Sequence, residues 1–343
     1  MRVTIKDIAK TCGVSVTAVS MALSDKPNRL SETTKQKIRE NAQKMHYQPN
    51  MAAVSLVNRK SNMVGIVVND LRNTHISSLY MSIIREIEKN GYSMICHVYE
   101  DSQTNVDRLL DQLDSENVSA IIWAKPFETD HIEENRLLSA AFEQMGIPVM
   151  TMDPYSFNCP GTDVLFDYEE GGLIATRYLL SNGHRKIGCL TGNMNYMVTE
   201  QRLDGYKKAL MEYGVEFDEA LVYHGDYTME SGYKALSYLM GQEVTAIFSF
   251  NDEMSFGIYR AARNYGIAIP EELSVVGFDD VPFADVMEIP LSTVKVPINE
   301  MGTYIGIELN RLMQEKNCVG EKRKIKMYKP AFLSRRSVGK INL

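Results

Sequence analysis

Between Asn69 and Asp280, seven short apolar runs end in residues with polar or aromatic chemistry: Asn69-Asp70, Ala124-Lys125, Asp153, Asn193, Asp226-Tyr227, Asn251-Asp252 and Asp279-Asp280. Carboxylates and amides accept from and donate to fixed hydroxyl groups. A tyrosine adds a π-face on which the C–H side of a ring can rest. That is the chemistry of a sugar site, and it equally suits a nucleobase or a nucleoside. An Asp or Asn after a strand also serves as a helix cap, which is the competing use of each one taken singly.

Nothing in the chain assembles a reaction centre. There is no G-x-x-x-x-G-K-[ST], no strand-linked G-x-G-x-x-G, no G-x-S-x-G and no H-E-x-x-H. The six histidines, at 46, 75, 97, 131, 184 and 224, show no pairing along a helix face. The expectation is a binding protein with no catalytic residue, no cofactor and no metal.

The elements that must position these residues form a regular series. Apolar runs "MVGIVVN" (63–69), "YSMICHVY" (92–99), "SAIIWA" (119–124) and "PVMTMD" (148–153) read as strands. A second series comprises "DVLFD" (163–167), "KIGCLTG" (186–192), "LVYHG" (221–225), "TAIFSF" (245–250) and "LSVVGFD" (273–279). Amphipathic stretches at 76–90, 104–115, 168–182, 199–213, 228–241 and 252–265 read as helices between them. Strands about thirty residues apart with intervening helices predict βαβ units and parallel sheets. Two such series predict two doubly wound lobes, and ligands of open α/β sheets sit beyond the carboxyl ends of the strands. Phe166 and Trp123 can line such a cleft or fill a core; both uses stay open.

The first fifty residues differ in kind. Thr4 and Asp7 have the spacing of a capping box, ahead of a helix whose inner face carries Ile5, Ile8 and Ala9. Gly13 stops it, Val14 staples the turn, and Ser15 caps a second helix with Val19, Ala22 and Leu23 inward. Val16, Thr17, Ala18, Ser20 and Met21 are left outward. A third helix follows Ser31-Glu32, with Ile38, Ala42 and Met45 inside, closing near Tyr47-Gln48-Pro49. Three helices in under fifty residues is the helix-turn-helix pattern, in which the second helix enters the DNA major groove.

Charge divides the chain at the same place. Residues 1–60 hold eleven Lys/Arg and four acids, a net +7, against 26 basic and 40 acidic residues (net −14) over the other 283. A basic head suits a polyanion and an acidic body stays off it. No apolar run approaches the ~18 residues of a membrane span, and Met1-Arg2-Val3-Thr4 leads into a polar helix rather than a signal peptide. Five cysteines (Cys12, Cys96, Cys159, Cys189, Cys318), none in a C-x-x-C, read as reduced thiols of a cytoplasmic protein.

The segment "VTIKDIAKTCGVSVTAVSMALSDKP…LSETTKQKI…AQKMHYQPNMAAVSL" resembles, without a gap from Val3 to Leu56, the DNA-binding head of the lactose/galactose repressor (LacI/GalR) family. The resemblance implies base-edge contacts from Val16 and Thr17 and phosphate contacts from Ser15 and Ser20. It also places Thr4, Ala18, Met21, Asn28, Tyr47, Asn50 and Ala53 at the DNA. Residues 50–60 resemble the family's hinge, which folds on DNA, with Leu56 as the apolar wedge in a minor-groove step. Unstacking such a step costs roughly a few kcal/mol, offset by wider contact on bent DNA. The family usually has Thr at the position of Ala18, Arg or His at that of Met21 and often Arg at that of Val54. Met offers only apolar contact, for instance to a thymine methyl, so the operator expected here differs from the commonest family sites.

"YEEGGLIATRYLLSNGHRKIGCLTG", "QRLDGYKKAL", "GDYTMESGYKAL", "AIFSFNDEMSFGIYRA" and "IPEELSVVGFDDVP…PLSTVKVP" resemble the same family's effector core. By that resemblance Arg202 clamps effector oxygens, Tyr227 stacks on the ligand, and Asp153, Asn251 and Asp279 are polar contacts. Asp70, Asn193 and Phe166 complete the expected set. "NDLRNTHIS" lacks the family's common Asn-Pro-Phe-Phe, and "LFDYEEGG" lacks its usual Asn.

The expected architecture is multidomain. An all-α helix-turn-helix head (1–49) and a hinge (50–60) precede a two-lobed α/β core (61–343) with two doubly wound parallel sheets, similar to periplasmic binding proteins. Lobe 1 is expected at about 61–162 and 292–322, and lobe 2 at 163–291 and 323–343. The implied function is a cytoplasmic, ligand-switched repressor that binds near-palindromic double-stranded operator DNA as a homodimer, its effector a small molecule and by the cleft chemistry a carbohydrate. The alternatives are control of the same regulator by a protein partner or by a purine- or nucleoside-type corepressor. A periplasmic-type sugar receptor fits the core but not the basic head.

Overall fold

The computed structural model describes residues 3–23, 29–47, 61–99, 106–152, 161–314 and 323–341. Asn28, Asn50, Ala53, Leu56 and Asp153, and with them the hinge, lie outside the described residues. The chain forms two compact units, 1–62 and 63–343.

The first unit packs α1 (Ile5–Cys12), α2 (Val16–Leu23) and α3 (Glu32–Lys44) around Ile8, Val19, Ala22 and Ile38, all fully buried. The Asp7 carboxylate takes both the amide (2.8 Å) and the hydroxyl (2.7 Å) of Thr4, so the shorter acid serves the expected capping box. Gly13 ends α1 at φ 70, a left-handed conformation that favours glycine. Ser15 caps α2 by accepting from the Ala18 amide at 3.1 Å. From α3, Lys37 donates to the Cys12 carbonyl and Arg39 to that of Ala22, setting positive charge at the C-termini of α1 and α2.

Among its described residues the second unit holds two six-stranded sheets. The first is entirely parallel, in the order β11-β5-β4-β3-β1-β2: Lys324–Tyr328, Gly161–Phe166, Val149–Thr151, Ala120–Trp123, Met63–Val68 and Ser93–Val98. The second runs β12-β10-β9-β8-β6-β7: Ala331–Leu333, Ser292–Lys295, Ser274–Asp279, Ala246–Ser249, Ile187–Thr191 and Val222–His224. Its edge strand β12 is antiparallel; the remaining pairs are parallel. Helices α4 (Thr74–Glu88), α5 (Val106–Ser115) and α6 (Ile132–Met145) belong to the first lobe. The second has α7 (Tyr168–Ser181), α8 (Met197–Glu212), α9 (Met229–Gly241), α10 (Asp252–Tyr265) and the short α11 (Phe283–Val286). Helix α12 (Ile298–Gln314) packs back on α4. Among the described residues no helix is long and apolar enough to cross a membrane.

Three stretches lie in the other lobe from the one expected. The run at 163–167, expected in the second series, is β5 of the first sheet, paired with β4 and pinned where Thr151 donates to Asp163 at 2.6 Å. Residues 292–295 were expected in lobe 1 but pair with β9 in the second sheet. Residues 324–328 were expected in lobe 2 but pair with β5 in the first. The chain therefore crosses between lobes near 167, 297 and 329. Sheet pairing runs backbone to backbone, so the residue types carry no mark of which sheet a strand joins, in the buried β5 and β10 as in the exposed β11. Trp123 fills a core, flanked by Tyr99 and Phe142.

Candidate functional site

The head presents one exposed face of α2. Val16, Thr17, Ser20 and Met21 are exposed and Ala18 is half-buried. Ser15 and Thr4 are exposed but already engaged in the caps of α2 and α1. Tyr47 is half-buried against the head's apolar core. The face exists because an eight-residue helix with Val19 and Ala22 inward must turn its intervening side chains out.

In the core, a cavity of about 1060 Å³ lies between the strand ends of the two lobes. Asp70, Asn193, Arg202, Tyr227, Asn251 and Asp279 all line it, brought together from five strand ends and a helix across both lobes. Phe166, expected among the contacts, does not line it. Its side chain is buried on β5, edge-on to Tyr168 (5.0 Å between ring centroids) and Phe278 (6.1 Å).

Arg202 is the centre of the second-lobe wall. Its guanidinium carbon lies 4.3 Å from the ring centroid of Phe278 and 4.7 Å from that of Tyr168. Nη1 donates to the Tyr227 hydroxyl at 2.9 Å, and Nη2 stands 3.8 Å from Asp279 Oδ1. Its buried Nε makes no hydrogen bond in the structure. Burial works against its charge, but Tyr227, Asp279 and Tyr168 outweigh that and raise the guanidinium above its ordinary range. Buried cations beside aromatic faces gain from the ring quadrupole. The arrangement offers unused N–H donors to a ligand with oxygen acceptors.

Burial pushes the Asp279 carboxyl up, partly countered by His75 and Arg202. His75, 3.9 Å away on α4 of the first lobe, is pulled down by its own burial. Asp279 (φ 110) and Tyr227 (φ 68) occupy the positive-φ region, uncommon for residues with side chains, and both face the cavity. Asn251 lines the cavity with both amide groups engaged. Oδ1 accepts from Met254 N at 2.9 Å, capping α10, and Nδ2 donates to the Tyr227 carbonyl at 3.0 Å. Asn193 closes a local turn by accepting from Asn195 N at 3.0 Å. Asp70 is held by Arg72, which donates from its amide at 2.8 Å and from Nε at 3.0 Å.

Lining residues not singled out from sequence include His75, Tyr168, Tyr196 and Glu253. Thr199, bonded to the Tyr227 hydroxyl at 2.6 Å, was missed too. Thr199 precedes Arg202 by three positions on α8, so the helical period alone put the two on one face. Tyr168 directly follows the Asp167 cap of α7, a position readable once the strand end is known.

Residues 4–50 match the family described as bacterial regulatory proteins, lacI family, and residues 176–337 match a periplasmic binding protein-like domain. The HTH-type transcriptional regulator DegA of Bacillus subtilis (strain 168) is 34% identical over 304 residues, covering 88% of this chain and 89% of DegA. The HTH-type transcriptional repressor PurR of Vibrio atlanticus (strain LGP32) is 30% identical over 346 residues, 99% of each chain. Among solved structures, the Lac repressor dimer bound to operator and the anti-inducer ONPF aligns with a TM-score of 0.84 at 23% identity, covering 99% of this chain and all of that one. The transcriptional regulator CelR–cellobiose complex aligns at 0.70 and 24% identity, covering 98% of this chain and all of that one. With a helix-turn-helix head, a two-lobed core and relatives aligned nearly end to end, this chain belongs to the LacI family of DNA-binding transcriptional repressors.

Proposed function

We propose that this repressor binds near-palindromic operator DNA as a homodimer in the cytoplasm, and that a carbohydrate held between its lobes switches its operator affinity. The observation that carries the reading is the interlobe cavity, where a buried, under-bonded Arg202, the Asp279 carboxylate and the Tyr227 ring converge. Fixed donors and acceptors around one aromatic face match the alternating hydroxyls and C–H face of a sugar ring. A relative in fold, CelR, was solved with cellobiose.

Val16, Thr17 and Met21 would meet base edges, Ser15 and Ser20 phosphates, and Leu56 the minor groove. Pairing two heads places their recognition helices in successive major grooves. Exposed Met81, Phe283, Val286, Ile307, Ile325 and Met327 supply apolar surface on the core for the pairing. A ligand touching both lobes favours whichever lobe arrangement gives it more contacts, and only that differential affinity can move the DNA equilibrium. Release of DNA by the sugar is the sense we expect. A nucleobase or nucleoside is the second reading, favoured by the near-parallel rings of Tyr196 and Tyr227, 16° apart.

A thermal-shift screen of the purified chain against mono- and disaccharides, sugar phosphates and nucleosides tests this. A ligand at 100 times its dissociation constant adds about 2.7 kcal/mol to stability. Sugar hits that weaken operator binding in anisotropy titrations support the reading. Nucleoside hits alone favour the second reading, and no hit moves control to a protein partner. A steep negative slope of log affinity on log salt is expected for operator binding, from counterion release at the basic head.

A further inference from the structure

We infer that Gly192, Thr199 and Asn251 are positioning residues that hold the Tyr227 ring in place before any ligand arrives. The inference rests on the cleft being the ligand site, and concerns how that site is built.

Tyr227 is restrained at every part of its length. Its backbone sits at φ 68, where a bulky side chain is disfavoured. The buried Asn251 amide holds it there by donating to the Tyr227 carbonyl at 3.0 Å, while the same side chain anchors α10. The ring lies against Gly192 at the end of β6, and a Cβ added there would stand only 2.0 Å from two of the ring carbons. The hydroxyl meets two partners, Thr199 Oγ1 at 2.6 Å and Arg202 Nη1 at 2.9 Å. Thr199 is fully buried and Asn251 nearly so. A guanidinium only donates, so the tyrosine oxygen accepts from Arg202 and shares one further proton with Thr199.

Each restraint has a geometric rather than a contact role. Thr199 is not among the residues lining the cavity, and Gly192 has no side chain to offer a ligand. Asn251 lines the cavity but has both amide groups engaged. The three take up the backbone, the hydroxyl and one ring face of Tyr227, and leave its other face uncovered by them. A face ordered in advance removes the rotamer entropy that binding would otherwise lose.

The test uses the full-length chain carrying 3-fluorotyrosine at position 227 alone. One narrow ¹⁹F resonance is expected in the parent. Thr199→Val and Asn251→Asp should shift or split it; the latter keeps the cap acceptor and loses the donor. A purely structural role would lower the melting temperature and leave the resonance in place, and an unmoved resonance in both variants overturns the inference. Gly192→Ala should destabilise the parent far more than the Tyr227→Ala background, where the space is vacant. Equal losses in both backgrounds also overturn it, and should Gly192→Ala alone not fold, the double variant is expected to. With D-ribose and cellobiose as probes, any affinity of the parent should fall at least tenfold in Thr199→Val and Asn251→Asp. If neither sugar binds the parent while the resonance moves as described, those two sugars are excluded as ligands and the positioning role stands.

Discussion

On the second-lobe wall of the cleft, Arg202, Asn251 and Asp279 are only 6, 2 and 8% exposed. On the first-lobe wall, Asp70 and Arg72 pair with each other while their side chains keep 37 and 87% of their surface in solvent. The first group acts in a low dielectric, where each charge is strong and each orientation is enforced by a partner. The second is screened by water and gains little from its pairing. The contrast separates two tasks. The buried group can supply a preset grip, and the exposed Asp70–Arg72 pair can be altered without disturbing the fold. The pair lies in "NDLRNTHIS", the first-lobe segment that departs from the family pattern.

The largest effect should follow removal of the buried grip. Arg202→Ala is expected to weaken ligand binding by at least a hundredfold and to erase the ligand-dependent change in operator affinity, measured by calorimetry and anisotropy. A ligand response within tenfold of the parent would break the comparison.

A middle-sized effect concerns pH. Asp252, buried behind the same wall, accepts from Thr293 Oγ1 at 2.6 Å and from Val281 N at 2.9 Å. Burial drives its carboxyl well above the unfolded value of 3.8, with Asp279 adding to the rise. A raised carboxyl contributes stability below the unfolded value and loses it as pH rises through the folded one. Melting temperatures of the parent and Asp252→Asn should therefore diverge from about pH 4 upward, the parent losing ground. Parallel curves would show that the wall is wetter than its burial implies.

The smallest effect belongs to the exposed wall. The hydrogen bond from Arg72 holds the Asp70 carboxyl below its ordinary value. The sign is thus opposite, a contribution present above pH 3.8 and lost as pH falls. Solvent screening keeps it small. Asp70→Ala should change the melting temperature by less than Asp252→Asn at every pH, and ligand affinity by less than threefold. A larger loss of affinity would place Asp70 in the preset grip rather than the adaptable wall.

Local elements were legible in the chain because their causes are local. The Thr4–Asp7 box, the Gly13 stop and the Ser15 cap stand as the residues predict. The helix expected at 252–265 spans Asp252–Tyr265, bounded by the Asn251 cap and Gly266 at φ 72. Strand pairing was not legible. Runs such as "DVLFD" and "LSTVK" have no residue whose type specifies a sheet, and only pairing with β4 or β9 assigns them.

The site divides in the same way. The types and spacing of Tyr227, Asn251 and Asp279 put polar groups at strand ends, and a parallel α/β sheet brings strand ends to one edge. That much the sequence determined by itself, as it did the charge split between head and core. Only the tertiary structure decided that Phe166 braces the wall from behind, that Asn251 turns both amide groups to protein, and that Thr199 and Gly192 grip Tyr227. Residue type sets what a group can bond to. Which partner satisfies it depends on burial and on neighbours distant in sequence, and those exist only once the chain has folded.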